Sequence, residues 1–259
     1  MQIMDHLKTL KLRKIGEVLD DELVNAVKKG LTTSEVLERL LAIEANAMIE
    51  RSIERRIKES KLPERKLLAD FDFDFQTGVD KDQIMELANL SFINKKYGLI
   101  LAGTSGSGKS HIAKALLLSA CQNRYRCRYT TGSDMLKELM AGLSDNTYEQ
   151  KLKKYTRPEI LLIDEVGFDR LEHESPRNAS FFFKVIEARY CKASTLITCN
   201  IDFKELGEYL GDPVITTAIV DRMIHHSIVI SIDGPSYRMH QSKELNRSYD
   251  KKKGTSPKN

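Results

Sequence analysis

The run Gly103–Ser110 reads GTSGSGKS and fits G-x-x-x-x-G-K-[ST], a spacing suited to binding phosphates. Its glycines, Gly103, Gly106 and Gly108, let the backbone turn so that successive N–H groups face phosphate oxygens, reinforced by the N-terminus of the helix that follows. Thr104, Ser105 and Ser107 fill the positions between, and His111 closes the set expected to touch a nucleotide. Lys109 adds a point charge on the β- and γ-phosphates, and the Ser110 hydroxyl suits Mg²⁺. The same letters can arise in an ordinary glycine turn. Here a short apolar strand precedes them and a helical pattern follows, which is the context that binding ATP requires.

A metal-bound triphosphate needs a carboxylate beside that loop. ILLIDE supplies one, with four apolar residues ending in Asp164 and Glu165 at the strand edge where ligands bind in parallel sheets. Asp164 is expected to hold Mg²⁺ through water, and Glu165 to orient and deprotonate the attacking water. Many surface strands end in acids; this one carries weight because Asp164 lies 55 positions after Lys109. A glutamate beside the metal aspartate favours water over a small-molecule acceptor, so an ATPase is favoured over a kinase. Asn200 ends another apolar strand, LITCN, where its amide could hold the water or the γ-phosphate; a turn or helix-capping asparagine is the ordinary alternative. Arg222 (AIVDRMIHH) and Arg238 (DGPSYRMH) are candidate phosphate sensors, because a guanidinium neutralises charge on a transferred phosphoryl group. Surface ion pairing is the alternative for each. His111, His225 and His226 have no carboxylate or cysteine at ligand spacing and read as structural, without a metal role.

The elements that must hold these residues alternate. GLILA (98–102), CRYTT (127–131), EILLID (159–164), STLITC (194–199) and SIVISI (227–232) read as strands, with helices over 109–122, from near Ser133, and at about 176–189, 203–210 and 213–225. Continuous apolar strands between helices argue for an α/β domain whose parallel sheet is covered on both faces. FDFDF predicts an extended segment with Phe71, Phe73 and Phe75 on one side, packed on a core or walling a nucleotide base.

Residues 1–62 carry little strand signal. Thr32 and Glu35 form a capping-box signal before a helical pattern (Val36, Leu37, Leu40, Leu41, Met48, Ile53, Ile57) that runs to about Ser60. Its far end is basic (Arg51, Arg55, Arg56, Lys58, Lys61), which reads as a solvated face or, more sharply, as a docking surface for DNA or a partner. Pro63 ends the helix, and the organisation expected is a helical domain over 1–66, a catalytic domain over 67–240 and a disordered basic tail over 241–259. The chain of 259 residues is 41% hydrophobic and 30% charged with a net charge of +4, which allows a packed core and permits a nucleic-acid partner without requiring one. Lys151, Lys153, Lys154 and Arg157, with Arg124, Arg126 and Arg128 as a second cluster, are the candidate DNA contacts. The four cysteines show no CxxC spacing, no run approaches the ~18 apolar residues of a membrane helix, and no secretory signal is visible, so a cytoplasmic protein is expected.

From about Leu67 to Arg238 the chain resembles the IstB-like transposition helper ATPases, relatives of the DnaC and DnaI helicase loaders in the AAA+ class. The stretches that carry the resemblance are FDFDFQTGVDKDQIMELANLSFI, LILAGTSGSGKSHIAKAL, PEILLIDEVGF, FFFKVIEARY and, most specifically, the run from Ser194 to Arg238. Where that family commonly has GPPGVGKT, this chain has Thr104, Ser105 and Ser107, with Ser110 keeping the metal-binding hydroxyl. The resemblance implies an AAA+ domain with a five-stranded parallel sheet after a helical domain for assembly and partner contacts. It places Asn200 at the first sensor, Arg222 at an arginine finger acting on a neighbouring subunit's ATP, and Arg238 at the second sensor. It further implies an ATP-dependent homo-oligomer on duplex DNA that recruits or stimulates a transposase. The alternative is a replicative helicase loader, disfavoured because residues 1–62 lack the cysteine/histidine site that some loaders carry.

Overall fold

The computed structural model describes residues 2–167, 177–200, 210 and 212–253. The helix expected at about 203–210 falls almost wholly outside them. The chain divides into two compact units, Met1–Arg55 and Arg56–Asn259.

The first unit is helical, with α1 (Gln2–Thr9), α2 (Arg13–Lys29) and most of α3 (Thr33–Ser60). Thr32 and Glu35 exchange the bonds of a capping box: Thr32 N donates to Glu35 Oε2 at 2.7 Å, and Glu35 N to Thr32 Oγ1 at 3.4 Å. Glu44 of α3 is buried, accepts from Lys14 N and Ile15 N at the start of α2, and pairs with Arg51 at 2.7 Å. Burial alone would raise its pKa, but Arg51 and the two amides outweigh that and hold it below the usual glutamate range.

The second unit contains a sheet of five parallel strands in the order β2-β3-β4-β1-β5: β1 (Gly98–Gly103), β2 (Cys127–Thr131), β3 (Ile160–Val166), β4 (Ser194–Cys199) and β5 (Ser227–Ile232). The central strands are apolar on both faces because both are covered; Leu99, Ile100, Leu101 and Ile160–Ile163 are all essentially inaccessible. Helix α6 (Lys109–Gln122) lies across one face, backed by α4 (Lys81–Ala88), and buries Ile112, Leu116 and Leu117 completely or nearly so. The other face carries α7 (Gly132–Ser144), α8 (Tyr148–Thr156), α9 (Arg177–Arg189) and α10 (Pro213–His225), whose Met135, Leu139, Phe182, Val185 and Ile219 join Leu161, Ile163 and Ile197 in one core. A short helix, α5 (Ser91–Asn94), leads into β1.

Local chemistry sets the helix starts. Asp212 caps α10 by accepting from Val214 N and Ile215 N at 3.0 Å, with Pro213 in the first turn where no N–H is needed. Arg189, at the end of α9 and 1% exposed, donates to the carbonyls of Tyr155, Pro158 and Ser194 and to Thr195 Oγ1. It ties α9 to the segments entering β3 and β4, and burial pulls its pKa below the ordinary arginine range.

Two segments differ from expectation. FDFDF is not extended: Asp72 Oδ1 accepts from Phe75 N at 2.9 Å and Gln76 N donates to Asp72 O, so the chain turns. Phe71 and Phe73 meet edge to face at 4.7 Å, while Phe75 joins Tyr237 and His240. Most of the segment expected as a tail is helical, α11 (Tyr237–Lys253), because strong helix formers continue without glycine or proline until Gly254. Residues 254–259 lie outside the described residues.

Candidate functional site

The loop Gly103–Gly108 leaves the C-terminal end of β1 and enters α6. All three of its glycines have positive φ and close neighbours where a Cβ would stand, and the two nearest the helix show it at side chains. Gly106 (φ +81°) has Ser236 Oγ at 2.2 Å from where a Cβ would stand, and Gly108 (φ +98°) has the Phe71 ring at 2.4 Å. Lys109 is 4% exposed and its ammonium donates to Gly103 O at 2.8 Å and Thr104 O at 2.6 Å. Burial lowers its pKa from the usual lysine range; the positive charge of Arg238 adds to this and Asp164 opposes it.

Asp164 is fully buried at the end of β3, and every side of its carboxylate is engaged. Ser110 Oγ donates to Oδ1 at 2.8 Å and Thr198 Oγ1 to the same oxygen at 2.5 Å. Tyr129 OH donates to Oδ2 at 3.2 Å, and Lys114 Nζ lies 3.5 Å from Oδ2. Burial, followed by the Asp164 charge, pushes the Tyr129 hydroxyl well above its ordinary pKa, so it stays a donor.

Glu165 leaves the strand. Its φ is +59°, in the left-handed region that a glutamate rarely adopts, and the β3–β4 register shifts between Ile163 and Val166. Its N–H donates to Thr198 Oγ1 at 2.9 Å. The effect is to expose one side chain between two buried ones and to place it on the wall of a cleft of about 490 Å³. That cleft is lined by Ser105–His111, Glu165, Asn200 and Arg238, with Phe71, Phe75 and Tyr237 on another side.

The segment after β5 is fastened to the loop. Tyr237 N donates to Gly106 O at 3.0 Å, Thr104 Oγ1 to Gly234 O at 3.4 Å, and the Gln76 amide to Ser107 O at 2.9 Å and Pro235 O at 3.3 Å. These bonds carry Arg238 into the cleft. His111 Nε2 contacts Leu67 O at 2.8 Å and its ring meets the edge of Phe71 at 5.5 Å, so it braces the aromatic wall. Arg222 is not among the cleft-lining residues: it sits on α10, over the Phe183 ring at 5.0 Å, donates to Ala218 O and pairs with Glu187.

The basic residues sort as well. Arg126, Lys153, Lys154 and Arg157 join Arg56 around a second cleft of about 230 Å³. It lies where β2 and β3 begin, at the sheet edge opposite the glycine loop. Glu59 also lines it, Arg126 pairs with Glu159 at 3.3 Å and Lys154 with Glu138; Lys151 pairs with Asp145 at 2.7 Å, and Arg128 faces Glu138 and the Tyr155 ring.

The sequence profile of the family described as IstB-like ATP binding protein matches residues 5–245. The chain belongs to that family. A relative from Bacillus thuringiensis subsp. berliner, named for ATP binding in insertion sequence IS232, is 35% identical over 94% of this chain and 97% of its own length. One from Geobacillus stearothermophilus (IS5376) is 38% identical over 83% of this chain and 84% of its own, and one from Pseudomonas aeruginosa (IS21) is 36% identical over 92% and 89%. Among solved structures, DnaI superposes with a TM-score of 0.55 at 22% identity, covering 65% of this chain and 91% of that one. AMPPCP-bound DnaA from Aquifex aeolicus gives a TM-score of 0.51 at 20% identity over 66% and 53%. These likenesses are of fold, and the fold is that of the AAA+ class, with its five-stranded parallel sheet.

In this IstB-like chain, sequence reasoning missed Gln76, Lys114, Tyr129 and Thr198. One signal was available for Lys114, which lies four positions after Ser110 and so one turn along the same helix face. Nothing local marks the other three, whose partners stand at least 31 positions away.

Proposed function

We propose that this IstB-like protein hydrolyses ATP, and that turnover serves transposition by an oligomer bound to duplex DNA. The observation that carries hydrolysis is the left-handed turn at Glu165, which sets a carboxylate facing the cleft beside a fully buried aspartate. Lys109 and the loop amides would hold the phosphates. Glu165 would orient a water against the γ-phosphate and take its proton, Asn200 would fix that water or a γ-oxygen, and Arg238 would neutralise charge on the transferred group.

The residues present fit Mg²⁺: the Ser110 hydroxyl and one Asp164 oxygen stand 2.8 Å apart as hard oxygen donors, with substrate phosphates able to supply more. Those two residues would hold the ion, which when bound draws charge from the β- and γ-oxygens.

Three observations support the wider reading. The relatives at 35–38% identity are named for insertion sequences. Arg56, Arg126, Lys153, Lys154 and Arg157 outnumber Glu59 around one cleft and leave it a positive balance suited to a phosphate backbone, with Arg126 and Lys154 also paired to Glu159 and Glu138. In the helical unit, Val24, Val27, Leu37, Leu41 and Met48 stay more than half exposed, a surface suited to subunit or transposase contacts. Arg222 would then complete the site of a neighbouring subunit. The likeness to DnaI, being one of fold, does not favour helicase loading over this role.

The test is Glu165→Gln, assayed for ATP turnover and nucleotide binding. Binding should be retained and turnover should fall ~10²-fold or more; wild-type turnover in that variant would remove Glu165 from the chemistry.

A further inference from the structure

Asp164 keeps company that its expected task does not require. A carboxylate that holds a divalent cation through water is served by hydroxyl donors, and Ser110 and Thr198 already fill Oδ1. On Oδ2, however, stands an ammonium: Lys114 Nζ at 3.5 Å, on a side chain only 13% exposed, with its charge over the Tyr129 ring at 5.6 Å. The same ammonium lies 3.2 Å from Glu64 Oε1, on the connection that follows α3. Glu64 is in turn 3.2 Å from Lys66 Nζ. The order is therefore carboxylate, ammonium, carboxylate, with one carboxylate buried and the other half exposed.

An ammonium and a divalent cation compete for one buried carboxylate, because each neutralises the same charge and each repels the other. Lys114 is placed to do both. It offsets the cost of burying Asp164, and it opposes the arrival of a metal ion there. Glu64 sets the balance: the more strongly it holds Lys114, the less that charge weighs on Asp164.

We propose that Lys114 is a positioning residue that competes with the divalent cation for Asp164, and that Glu64 tunes the competition. This rests on the reading of Asp164 as the metal carboxylate. It goes beyond that reading in assigning the metal requirement of nucleotide binding to a lysine outside the glycine loop, answerable to the connection between α3 and the sheet. A change that moved Glu64 would alter how much Mg²⁺ the site demands without touching a residue that contacts phosphate.

The test is the Mg²⁺ concentration that half-saturates binding of a fluorescent ATP analogue to the full-length chain, with Mn²⁺ binding followed by electron paramagnetic resonance as a second readout. Lys114→Met should lower the half-saturating Mg²⁺ about tenfold, and Glu64→Gln should raise it several-fold. The double variant should behave as Lys114→Met does, because Glu64 acts only through the lysine. Lys114→Arg, which keeps the charge, should stay near wild type. Thermal unfolding in EDTA confirms that each variant is folded, with Lys114→Met melting lower than wild type because Asp164 loses its counter-ion.

A merely structural lysine would make both single variants weaken binding together, and that result overturns the proposal, as would a half-saturating Mg²⁺ that neither variant moves. If the wild-type chain binds the analogue with no dependence on Mg²⁺, the reading of Asp164 fails and the proposal falls with it.

Discussion

Thr198 is a small side chain on which two parts of the site depend. Its hydroxyl, 2% exposed, accepts from Glu165 N at 2.9 Å and donates to Asp164 Oδ1 at 2.5 Å. Thr198→Val keeps the shape and removes both bonds. A hydrogen bond to a charged group is worth about 1.5–3 kcal/mol, and an amide left without a partner costs about 1–3 kcal/mol more. Allowing for partial relaxation, the loss should be about 2–4 kcal/mol, or ~5–15 °C in Tm for a unit of this size. The chain has no tryptophan, so unfolding should be followed by circular dichroism or tyrosine fluorescence. The functional loss should be selective. The glycine loop makes no use of Thr198, so ATP binding should stay within about threefold, whereas turnover should fall tenfold or more as Glu165 loses the bond that holds its turn. Thr198→Ser should restore both. Stability within ~0.5 kcal/mol of wild type, or undiminished turnover in the valine variant, would refute the reasoning.

Other outcomes are expected. Lys109→Ala should abolish nucleotide binding in an equilibrium titration, because no other ammonium among the described residues donates to the loop carbonyls of Gly103 and Thr104. Charge reversal at Lys153, Lys154 and Arg157 together should weaken duplex binding by at least tenfold in 100 mM salt and flatten its salt dependence, leaving ATP binding intact; unchanged affinity would remove that cleft from the interface. Arg222→Ala should spare ATP binding and impair hydrolysis, since a guanidinium of this kind acts on transition-state charge. Mixing it with Glu165→Gln should recover some turnover if one subunit completes its neighbour's site, and a dead mixture that demonstrably co-assembles would return Arg222 to its bond with Glu187.

What could be read beforehand was what is local. The glycine loop and the ILLIDE strand announce themselves because their chemistry needs consecutive residues, and β1, β3 and β4 follow from largely apolar, mostly buried runs, whereas the edge strands β2 and β5 are partly exposed. The FDFDF turn was misread because alternation suggests a strand, while the deciding interaction is an aspartate bonding the backbone three residues on. Arg189 would pass in sequence for a solvated end-of-helix charge; only the fold gathers the carbonyls that let it be buried. Thr198, Tyr129 and Gln76 belong to the same class, being ordinary polar residues until the sheet sets them against a partner. Burial of Asp164 makes Thr198 and Tyr129 matter, since a carboxylate out of water must find its donors within the protein, while Gln76 matters through the carbonyls of Ser107 and Pro235.

The strand order explains why those donors come from so many elements. β4 lies between β1, which carries the glycine loop, and β3, which carries Asp164 and Glu165. At about 4.8 Å per strand the loop and the acids are set roughly 10 Å apart, too far for one to touch the other directly. Ser110 spans the gap from α6, and the end of β4 fills its floor with Thr198 below and Asn200 at the rim. From β1 the chain crosses to β2 at the far side of this gap, whereas β5 returns on the other side of β1, so the crevice sits at a point where strand order reverses. A phosphate held by the loop and a water held by Glu165 would meet above β4. The strand that bears neither motif therefore fixes their separation, and substitutions there should separate binding from turnover more cleanly than substitutions in the loop itself.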